Sequence, residues 1–429
     1  MTKKVGFYTL GCKLNYAETE AIARNMSLQD YTSVPFSSFA DYYVINTCSV
    51  TELANKKSRS AIRKALKINP EAIIIVIGCY AQLKPEEIAK IEGVSIVLST
   101  KDKFAIPYYI KKLESSQDSH LISSCERDEI EIFNSSYSLK KRTRSFLKVQ
   151  DGCNYFCSYC TIPLARGKSR NAPISQIVSQ ATEIANNNIR EIVLTGINIG
   201  DFGRSTGETF FELIQELDKI KGINRYRISS IEPNLLTSEI IDFVRDSQKF
   251  MPHFHIPLQS GSNKVLQLMR RKYSTEFFAA KINEIHTKIP HAGIGIDVIV
   301  GTPGETEKLF METYSFLQSL PISYLHVFTY SEREGTDALQ IAPIVPKQER
   351  HKRSMLVHEL SEKIQNNYFI KHDKTIHPVL IETNKNNIYT GYTDNYIKTK
   401  IYSEKDIHNT IQKIKLQHES HNHMTGEIL

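Results

Sequence analysis

The chain has 429 residues, which is more than one hydrophobic core usually serves, so we expect two or three domains. Its 41% hydrophobic, 24% charged and 9% aromatic residues exclude a disordered or fibrous protein. The net charge of +7 favours a polyanion such as RNA only weakly, because a solvated basic surface has the same composition.

The sequence offers no segment suited to a membrane. Residues 1–6 carry two lysines without a long apolar stretch after them, and the longest apolar run, Ala72 to Gly78, is too short to span a bilayer. We therefore expect a cytoplasmic protein with no membrane partner. Seven cysteines in such a reducing compartment are more typical of metal ligands or catalytic groups than of disulfides.

The first part of the chain alternates apolar runs with stretches of helical spacing, the pattern of a parallel sheet covered by helices. Helices are predicted at about Ala17 to Leu28 and Thr51 to Ile68. Strands are predicted at Val5 to Leu10, Tyr42 to Ile45, Ala72 to Ile77 and Ser95 to Leu98. Residues 1–113 are therefore expected to form a doubly wound parallel-sheet domain of the α/β class.

A polar segment with three Ser-Ser pairs follows, and residues 114–138 are predicted to be a linker. A basic run comes directly after it, at Lys140, Lys141, Arg142 and Arg144. Beyond the linker, six apolar runs alternate with amphipathic helical stretches. These runs predict strands at Phe146 to Val149, Glu191 to Thr195, Tyr226 to Ser229, His253 to Leu258, Gly293 to Val300 and Tyr324 to Tyr330. Six strand and helix units predict a (βα)6 partial TIM-type barrel over residues 139–370.

Residues 371–429 change to short alternating runs with Asn-rich turns, which predict a small antiparallel β module. Its strands are predicted at Val379 to Thr383, Ile388 to Thr390 and Tyr396 to Ile401. The last stretch is polar and contains His418, His421 and His423. Histidines can bind a metal, but a frayed tail is the more ordinary interpretation, and a polar tail is what we expect.

Three cysteines, Cys153, Cys157 and Cys160, lie on one short loop after the strand that ends at Val149. A 4Fe-4S cluster normally takes four thiolates, so three thiolates leave one iron open for a reactant. The alternatives are a zinc site or reduced thiols without a ligand. A zinc site would need a fourth cysteine or histidine nearby, and the next histidine along the chain is His253.

The other three cysteines are far apart in sequence, but each follows the end of a predicted strand. They are Cys12, Cys48 and Cys79. Because the carboxyl ends of parallel strands line one crevice, these thiols can meet at one site. The alternative is three buried cysteines that pack as small hydrophobic side chains. Cys125 lies alone in the linker, and no role is assigned to it.

With both cysteine sets in view, the chain resembles the radical S-adenosylmethionine (SAM) methylthiotransferase family along most of its length. The matching segments are Gly11 to Asn15, Asn46 to Cys48, Gly78-Cys79, Gln150 to Cys160 and Pro257 to Ser262. The resemblance implies an N-terminal methylthiotransferase domain, a radical SAM barrel and a C-terminal RNA-binding module called TRAM. The C-terminal module is short for the family, though Gly391-Tyr392 and Asn395 to Ile397 still resemble the end of a TRAM domain.

Lys13-Leu14-Asn15 and Glu191 to Gly196 resemble most the branch that acts on N6-threonylcarbamoyladenosine at tRNA position 37. The isopentenyladenosine branch usually has Gln-Met-Asn after the first cysteine, and the ribosomal-protein aspartate branch has Pro-Lys-Asn. Both branches stay open as alternatives. Outside the family, the alternatives are a non-catalytic iron-sulfur protein that binds RNA or carries electrons, and a zinc-binding RNA module.

The resemblance also implies cofactors and partners. Cys153, Cys157 and Cys160 would hold a 4Fe-4S cluster that cleaves SAM, and Cys12, Cys48 and Cys79 would hold an auxiliary 4Fe-4S cluster that carries the sulfur. Two SAM molecules would be used per product, and a one-electron reductant such as flavodoxin or ferredoxin would be required. The tRNA is the expected partner, and the sulfur donor stays unknown.

Polar residues at predicted strand ends are candidates for SAM contact, although some of them could only cap helices. They are Tyr159, Thr195, Gly196, Asn198, Ser230, Glu232, Gln259 and Ser260, with Gly301, Pro303 and Glu305 after the fifth strand. Two basic clusters are candidates for phosphate contact, with a solvated face as the alternative. They are Arg166, Lys168 and Arg170, and Arg270, Arg271 and Lys272.

Overall fold

The computed structural model describes residues 2–139, 143–420 and 423–429. Its first domain is a parallel sheet of six strands, in the order β2-β1-β3-β4-β5-β6. The strands are β1 (Lys3–Thr9), β2 (Tyr31–Val34), β3 (Tyr42–Thr47), β4 (Ile73–Gly78), β5 (Val94–Leu98) and β6 (Leu121–Ser123). The helices are α1 (Lys13–Ser27), α2 (Glu52–Ile68), α3 (Cys79–Leu83), α4 (Pro85–Ala89) and α5 (Ile106–Ser115). The doubly wound parallel domain is therefore confirmed.

Helices cover both faces of the sheet, so the central strands β3 and β4 are buried along nearly their whole length and mostly apolar. In β4, Ile74 and Val76 pack into the core on one face, while Ile75 and Ile77 pack into the core on the other. The two edge strands have no such run, since the residues of β2 are at most half-buried. The predicted linker is therefore wrong in part. Its residues Leu121–Ser123 form β6, which pairs with β5 as the last strand of the sheet.

The second domain contains six parallel strands in two three-stranded sheets, β7-β8-β9 and β10-β11-β12. Isolated parallel bridges, Tyr226 with Phe250 and Ser230 with His255, join β9 to β10. The strands are β7 (Arg144–Lys148), β8 (Glu191–Thr195), β9 (Arg225–Ile228), β10 (His253–Gln259), β11 (Gly293–Val300) and β12 (Tyr324–Thr329). The helices are α6 (Ile162–Arg166), α7 (Ile174–Asn186), α8 (Phe210–Asp218), α9 (Ser238–Asp246), α10 (Asn263–Leu268), α11 (Thr275–Lys288), α12 (Glu307–Ser319) and α13 (Lys347–Lys371).

Alternate residues of these strands point to opposite sides, as the pleat requires. Phe254, Ile256 and Leu258 of β10 pack into the core under the helices. The residues between them face the barrel interior, where His255 meets Asp297 of β11. The six-unit partial barrel predicted from the sequence is confirmed, and its interior is largely polar.

Helix α1 of the first domain packs against this interior. Ala17 is buried with Phe146 of β7 and Val193 of β8, and the rings of Tyr16 and Phe146 meet edge to face at 5.7 Å between centroids. The first domain therefore covers part of the barrel interior that six strands leave open.

The third domain is a closed barrel in the order β13-β14-β15-β17-β16. Its strands are β13 (Ile376–Lys385), β14 (Ile388–Thr393), β15 (Lys398–Tyr402), β16 (Ile411–Ser420) and β17 (His423–Ile428). The expected polar tail is wrong, because β16 and β17 close the barrel. An antiparallel module is correct except at one seam, where β15 and β17 run parallel. Ile414, Leu416 and Met424 are fully buried between polar neighbours, which is the alternation of a strand with one solvated face.

The histidine-rich stretch is therefore structural where it is described. His418 hydrogen-bonds through Nε2 to Asn366 Oδ1 at 2.9 Å, and His423 is half-buried in β17. His421 and the basic run at Lys140, Lys141 and Arg142 lie outside the described residues. None of the helices in the described ranges combines the length and apolar character needed to cross a bilayer.

The closed barrel docks on the amino-terminal ends of the second domain's strands. Arg225 donates hydrogen bonds to the carbonyls of Tyr392 and Pro378, at 3.1 and 2.7 Å. Arg227 donates to the carbonyl of Asp394 at 2.9 Å. The carboxyl ends of the strands are left free for chemistry, as in other barrels of this kind.

Replacing Met424 tests whether the end of the chain is a strand or a tail. Met424→Ala removes a fully buried side chain and should lower the free energy of unfolding of the third domain by about 2–5 kcal/mol. Glu427→Ala, at an exposed position of the same strand, is the matched control and should change it little. Urea unfolding of both variants gives the comparison, and equal stabilities would mean that β17 does not close the barrel.

Candidate active site

The three dispersed cysteines meet at the carboxyl edge of the first sheet. Cys12, Cys48 and Cys79 follow β1, β3 and β4, which are adjacent strands in the sheet order. Gly11 has a φ of +95°, and a Cβ built on it would lie 3.0 Å from Cys48 Sγ. The chain therefore needs glycine there, because the backbone of one cysteine segment passes directly beside the thiol of another.

Burial disfavours the charged thiolate forms of Cys48 and Cys79. It raises the pKa of Cys48 to about 12 and raises the pKa of Cys79, against which the charge of Arg166 acts in the opposite direction. Three thiols held at one edge of the sheet are suited to a metal group, whose binding displaces the protons of Cys48 and Cys79. No disulfide joins any of the seven cysteines.

The second cysteine set lies on a loop between β7 and α6, fixed from several sides. The amide of Cys153 donates to the Gly167 carbonyl at 3.1 Å, and the amide of Cys160 donates to the Cys157 carbonyl at 3.0 Å. Gly152 has a φ of +70°, and a Cβ there would lie 2.0 Å from the carbonyl oxygen of Lys168. The loop is therefore preformed, and only glycine fits at its base.

Polar groups surround the thiols of this loop. Arg271 Nη1 donates to Cys157 Sγ at 3.2 Å, and the same guanidinium pairs with Glu232. Burial raises the pKa values of Cys153 and Cys160 to about 12. Loading a cluster on these thiols would again release protons, and Arg271 is placed to offset the thiolate charge.

A buried network of charges joins the two cysteine sets across the domain boundary. Glu18 of α1 accepts from Arg166 at 3.1 Å, from Lys103 at 2.7 Å and from Lys148 at 2.9 Å. Asp151 pairs with Arg166 at 3.0 Å. Glu18 belongs to the helix that begins after Cys12, whereas Asp151 and Arg166 flank the Cys153 loop, so the network fixes one cysteine set relative to the other.

The network carries more positive than negative charge. Two carboxylates, Glu18 and Asp151, face four cations, which are Lys103, Lys148, Arg166 and Arg170. Burial acts to raise the pKa of Glu18, but the charges of Arg166, Lys103 and Lys148 outweigh it and hold that pKa well below its usual range. The surplus positive charge lies beside Cys12 and Cys79, both of which interact with Arg166. An anionic group on those thiols would be stabilised there.

A cavity of about 230 Å³ opens between the domains beside the Cys153 loop. Val50 and Thr51 of the first domain form one wall, and barrel residues form the other. Among the residues proposed from the sequence, Tyr159, Cys160 and Gln259 line it. Gln259 has a φ of +71°, an uncommon backbone conformation for glutamine that marks a constrained site.

The loop after β8 forms another side of the site. The Gln150 side-chain oxygen accepts from the amides of Ile197 and Asn198, at 3.0 and 2.9 Å. The Asn198 side chain is 3% exposed, and neither its oxygen nor its nitrogen has a hydrogen-bond partner among the described residues. Because a buried amide without partners is costly, Asn198 is suited to contact a ligand. Its neighbour Gly196 lies beside Gln150, where a Cβ would meet the Gln150 carbonyl at 2.9 Å.

The remaining SAM candidates differ in what they contact. Thr195 is buried at the end of β8, and Ser230 pairs with His255 in the bridge between β9 and β10. The SAM contact predicted for Ser260 is contradicted, because its hydroxyl is fully buried and hydrogen-bonded to Thr313 of α12 at 3.1 Å. The contact predicted for Glu305 is contradicted as well, since its carboxylate accepts a hydrogen bond from the Gly301 amide and pairs with Arg353 of α13.

The phosphate contacts predicted for the two basic clusters are contradicted at three of their six residues. Arg166, Arg170 and Arg271 are buried and paired with carboxylates, so their guanidinium groups offer no surface to a phosphate. Lys168 and Arg270 are exposed, each in a surface pair, with Asp128 and Asp337 respectively. The Lys272 ammonium lies 4.0 Å from the ring centroid of Tyr155.

Sequence analysis missed Glu18 and Lys103, which carry much of the interdomain network. Glu18 lies within an ordinary amphipathic helix, and its burial depends on Arg166, 148 residues away. A weak signal was present at Lys148, a lysine inside the apolar run of β7. A charge at a core position of a strand calls for a buried partner.

Comparison with known proteins shows two matching families. Residues 4–99 match Uncharacterized protein family UPF0004, and residues 147–317 match the Radical SAM superfamily. The threonylcarbamoyladenosine tRNA methylthiotransferase MtaB of Bacillus subtilis is 40% identical over 96% of this chain and 93% of that protein. The tRNA-2-methylthio-N(6)-dimethylallyladenosine synthase of Syntrophus aciditrophicus is 32% identical over 84% and 80%.

A solved structure shares the fold. The radical S-adenosylmethionine methyltransferase TsrM from Kitasatospora setae superposes with a TM-score of 0.58 at 11% identity, over 76% of this chain and 73% of that chain.

Neutralising Glu18 tests the interdomain network. Glu18→Gln leaves buried cations without a carboxylate and should lower the free energy of unfolding by about 3–5 kcal/mol near neutral pH. Because the folded-state pKa of Glu18 is depressed, its stabilising effect is complete above the unfolded pKa of about 4.3 and is lost as pH falls below it. The difference between variant and wild type should therefore shrink in acid.

Urea unfolding of the metal-free proteins at neutral pH and at about pH 3 gives this comparison. Glu216→Gln is the matched control, since its carboxylate makes an exposed pair with Lys219 at 2.6 Å and should contribute at most about 1 kcal/mol. Equal effects of the two substitutions would contradict a structural role for the network.

Proposed function

The chain belongs to the family of radical SAM tRNA methylthiotransferases, and from this premise we propose that it adds a methylthio group to C2 of N6-threonylcarbamoyladenosine at tRNA position 37. The Radical SAM match implies SAM and a 4Fe-4S cluster as cofactors. The observation that supports the proposal most directly is the pairing of two three-cysteine sets, which one buried charge network holds across a domain boundary.

Each cysteine set has the chemistry to hold a cluster. Cys153, Cys157 and Cys160 would bind the 4Fe-4S cluster that carries SAM on its open iron, and Cys12, Cys48 and Cys79 would bind a second one. When bound, the first supplies the electron that cleaves one SAM molecule to a carbon radical, and the second supplies the sulfur, which another SAM molecule methylates. Two SAM molecules per product and a one-electron reductant such as flavodoxin or ferredoxin belong to this proposal.

The surrounding side chains have roles that follow from their positions. Gln259 and Tyr159, which line the cavity beside the Cys153 loop, and Asn198, whose buried amide has no partner among the described residues, are the proposed SAM contacts. Arg271 donates to Cys157, and Arg166 lies beside Cys12 and Cys79. We propose that these two arginines stabilise the negative charge of the two cysteine-bound groups, one at each.

The substrate assignment is supported by the relatives. Identity is higher to the threonylcarbamoyladenosine enzyme than to the dimethylallyladenosine enzyme, 40% against 32%. The closed β-barrel of the third domain and the exposed Lys168, Arg270 and Lys272 are the proposed contacts with tRNA phosphates. Methylthiolation of dimethylallyladenosine stays the alternative to be tested.

Product analysis tests the proposal. The anaerobically reconstituted protein is incubated with SAM, a reductant and tRNA that carries either threonylcarbamoyladenosine or dimethylallyladenosine at position 37. Mass spectrometry of the nucleosides should show a methylthio mass gain on the first tRNA. A gain confined to the second would replace the proposed substrate, and SAM cleavage without a gain on either would point to a protein substrate.

Single cysteine variants separate the roles of the two sets. Cys48→Ala should keep SAM cleavage but lose methylthiolation, whereas Cys157→Ala should lose both, because only the cluster on Cys153, Cys157 and Cys160 would cleave SAM. Cys125→Ala is the matched control, since this thiol lies outside both sets and donates to Gln82 Oε1 at 3.5 Å. Formation of 5′-deoxyadenosine and of methylthiolated nucleoside is measured for each. SAM cleavage by Cys157→Ala would contradict the assignment.

A further inference from the structure

A polar recess lies in the barrel interior beside Cys12. Its members are Lys13 of α1 and three residues on the inner faces of β10, β11 and β12, which are His255, Asp297 and His326. Lys13 and His326 are exposed to water, as is Cys12, although all lie between domains. Asp297 also lines the cavity that Cys160 borders. One member of the recess therefore borders the cavity beside the Cys153 loop.

Lys13 lies among charged groups of both signs. The charged groups that act on it are Arg144, Arg227 and Glu191, and Glu191 is engaged by Arg227 at 3.2 Å. In the described part of the chain, no carboxylate forms a salt bridge with the Lys13 ammonium group. A lysine that faces an interior hollow without a counter-ion is suited to receive an anion from outside the chain.

The other three residues supply hydrogen-bonding groups. His255 Nε2 and Asp297 Oδ1 are 2.8 Å apart, and the rings of His255 and His326 lie 5.1 Å apart between centroids. Two imidazoles and a carboxylate whose ligating atoms lie within 4.8 Å of one another can also hold a divalent cation. The positive charge of Lys13 acts on His326, which disfavours a second cation there and favours an anionic or polar ligand.

We propose that this recess binds the N6 substituent of the substrate, with Lys13 as the counter-ion of its carboxylate. The inference rests on the proposed function. The threonylcarbamoyl group carries a carboxylate, a hydroxyl and an amide-like N–H, which match an ammonium group, an imidazole and a carboxylate. A dimethylallyl group offers none of these and would leave Lys13 desolvated without a partner, so the recess selects between the two tRNA substrates.

The position of the recess agrees with the position of the reaction. In adenine, C2 and the carbon that bears N6 are both bonded to N1, so a substituent on N6 lies close to C2. Cys12 and Lys13 are consecutive residues, with Cys12 preceding the first residue of α1. One backbone turn thus places a proposed ligand of the sulfur-carrying group next to the residue that would identify the substrate.

A binding cycle tests the proposal without turnover. The reconstituted protein, without reductant, is titrated with anticodon stem-loop RNA that carries either threonylcarbamoyladenosine or unmodified adenosine at position 37. Wild type should bind the first about tenfold more tightly or better, as expected for a charge-assisted contact. Lys13→Met should reduce this ratio to within about twofold, while Lys13→Arg should keep most of it.

Lys64→Met, at an exposed position of α2, is the control for loss of a positive charge and should leave the ratio unchanged. Iron content of each variant shows that the clusters are intact. A ratio near one in wild type, or a wild-type ratio in Lys13→Met, would overturn the proposal even if product analysis confirmed threonylcarbamoyladenosine as the substrate. Methylthiolation of dimethylallyladenosine alone would refute the proposed function, whereas the binding ratio would still report on Lys13.

Metal analysis addresses the competing occupant. The recess should hold no divalent metal. The iron bound by the two cysteine sets is the only metal that the proposal expects in the protein. One equivalent of zinc, nickel or cobalt that is present in wild type and lost in His326→Ala would identify a metal site and overturn the assignment of the recess to the substrate.

Discussion

The buried ion network around Glu18 is the interaction on which the active site depends. Glu18 follows Cys12 by six residues, Asp151 precedes Cys153 by two and Arg166 follows Cys160 by six. Each of these charges is fully buried, so separating them would leave a charge without a partner in a medium of low polarity. The two cysteine loops therefore cannot move apart without breaking the network, and their spacing becomes a property of the folded state.

The open interior of the six-stranded barrel explains why helix α1 packs against it. Six parallel strands cannot close as eight do, and their interior is not filled by their own side chains. Helix α1 covers part of it through Ala17, Phe146 and Val193, and leaves a water-accessible hollow at its amino-terminal end. The site thus occupies the space that the missing strands leave open. A closed, fully packed barrel would have no room for a nucleoside.

Local patterns predicted the parts of the fold whose signals are short-ranged. The six barrel strands could be predicted because their outward faces are continuous apolar stripes, and the cysteines because both sets follow strand ends. Edge strands such as β2 and β6 were missed since half-exposed residues have no such stripe. Arg166 and Arg271 were misjudged for a different reason. A basic residue has the same appearance in sequence whether it faces water or a carboxylate that tertiary structure brings from another domain.

The third domain completes the barrel interior from the opposite end. The Tyr396 ring lies 4.7 Å from the Arg227 guanidinium carbon and 4.4 Å from the His253 ring, and its hydroxyl acts on Lys13. Tyr396 has a φ of +73°, a conformation that an ordinary residue keeps only when its surroundings enforce it. The interior beside Cys12 is therefore formed by α1, by the barrel strands and by this loop. Three domains therefore contribute to one polar hollow. The closed barrel of the third domain forms part of the wall behind the residue that we infer to recognise the modified base.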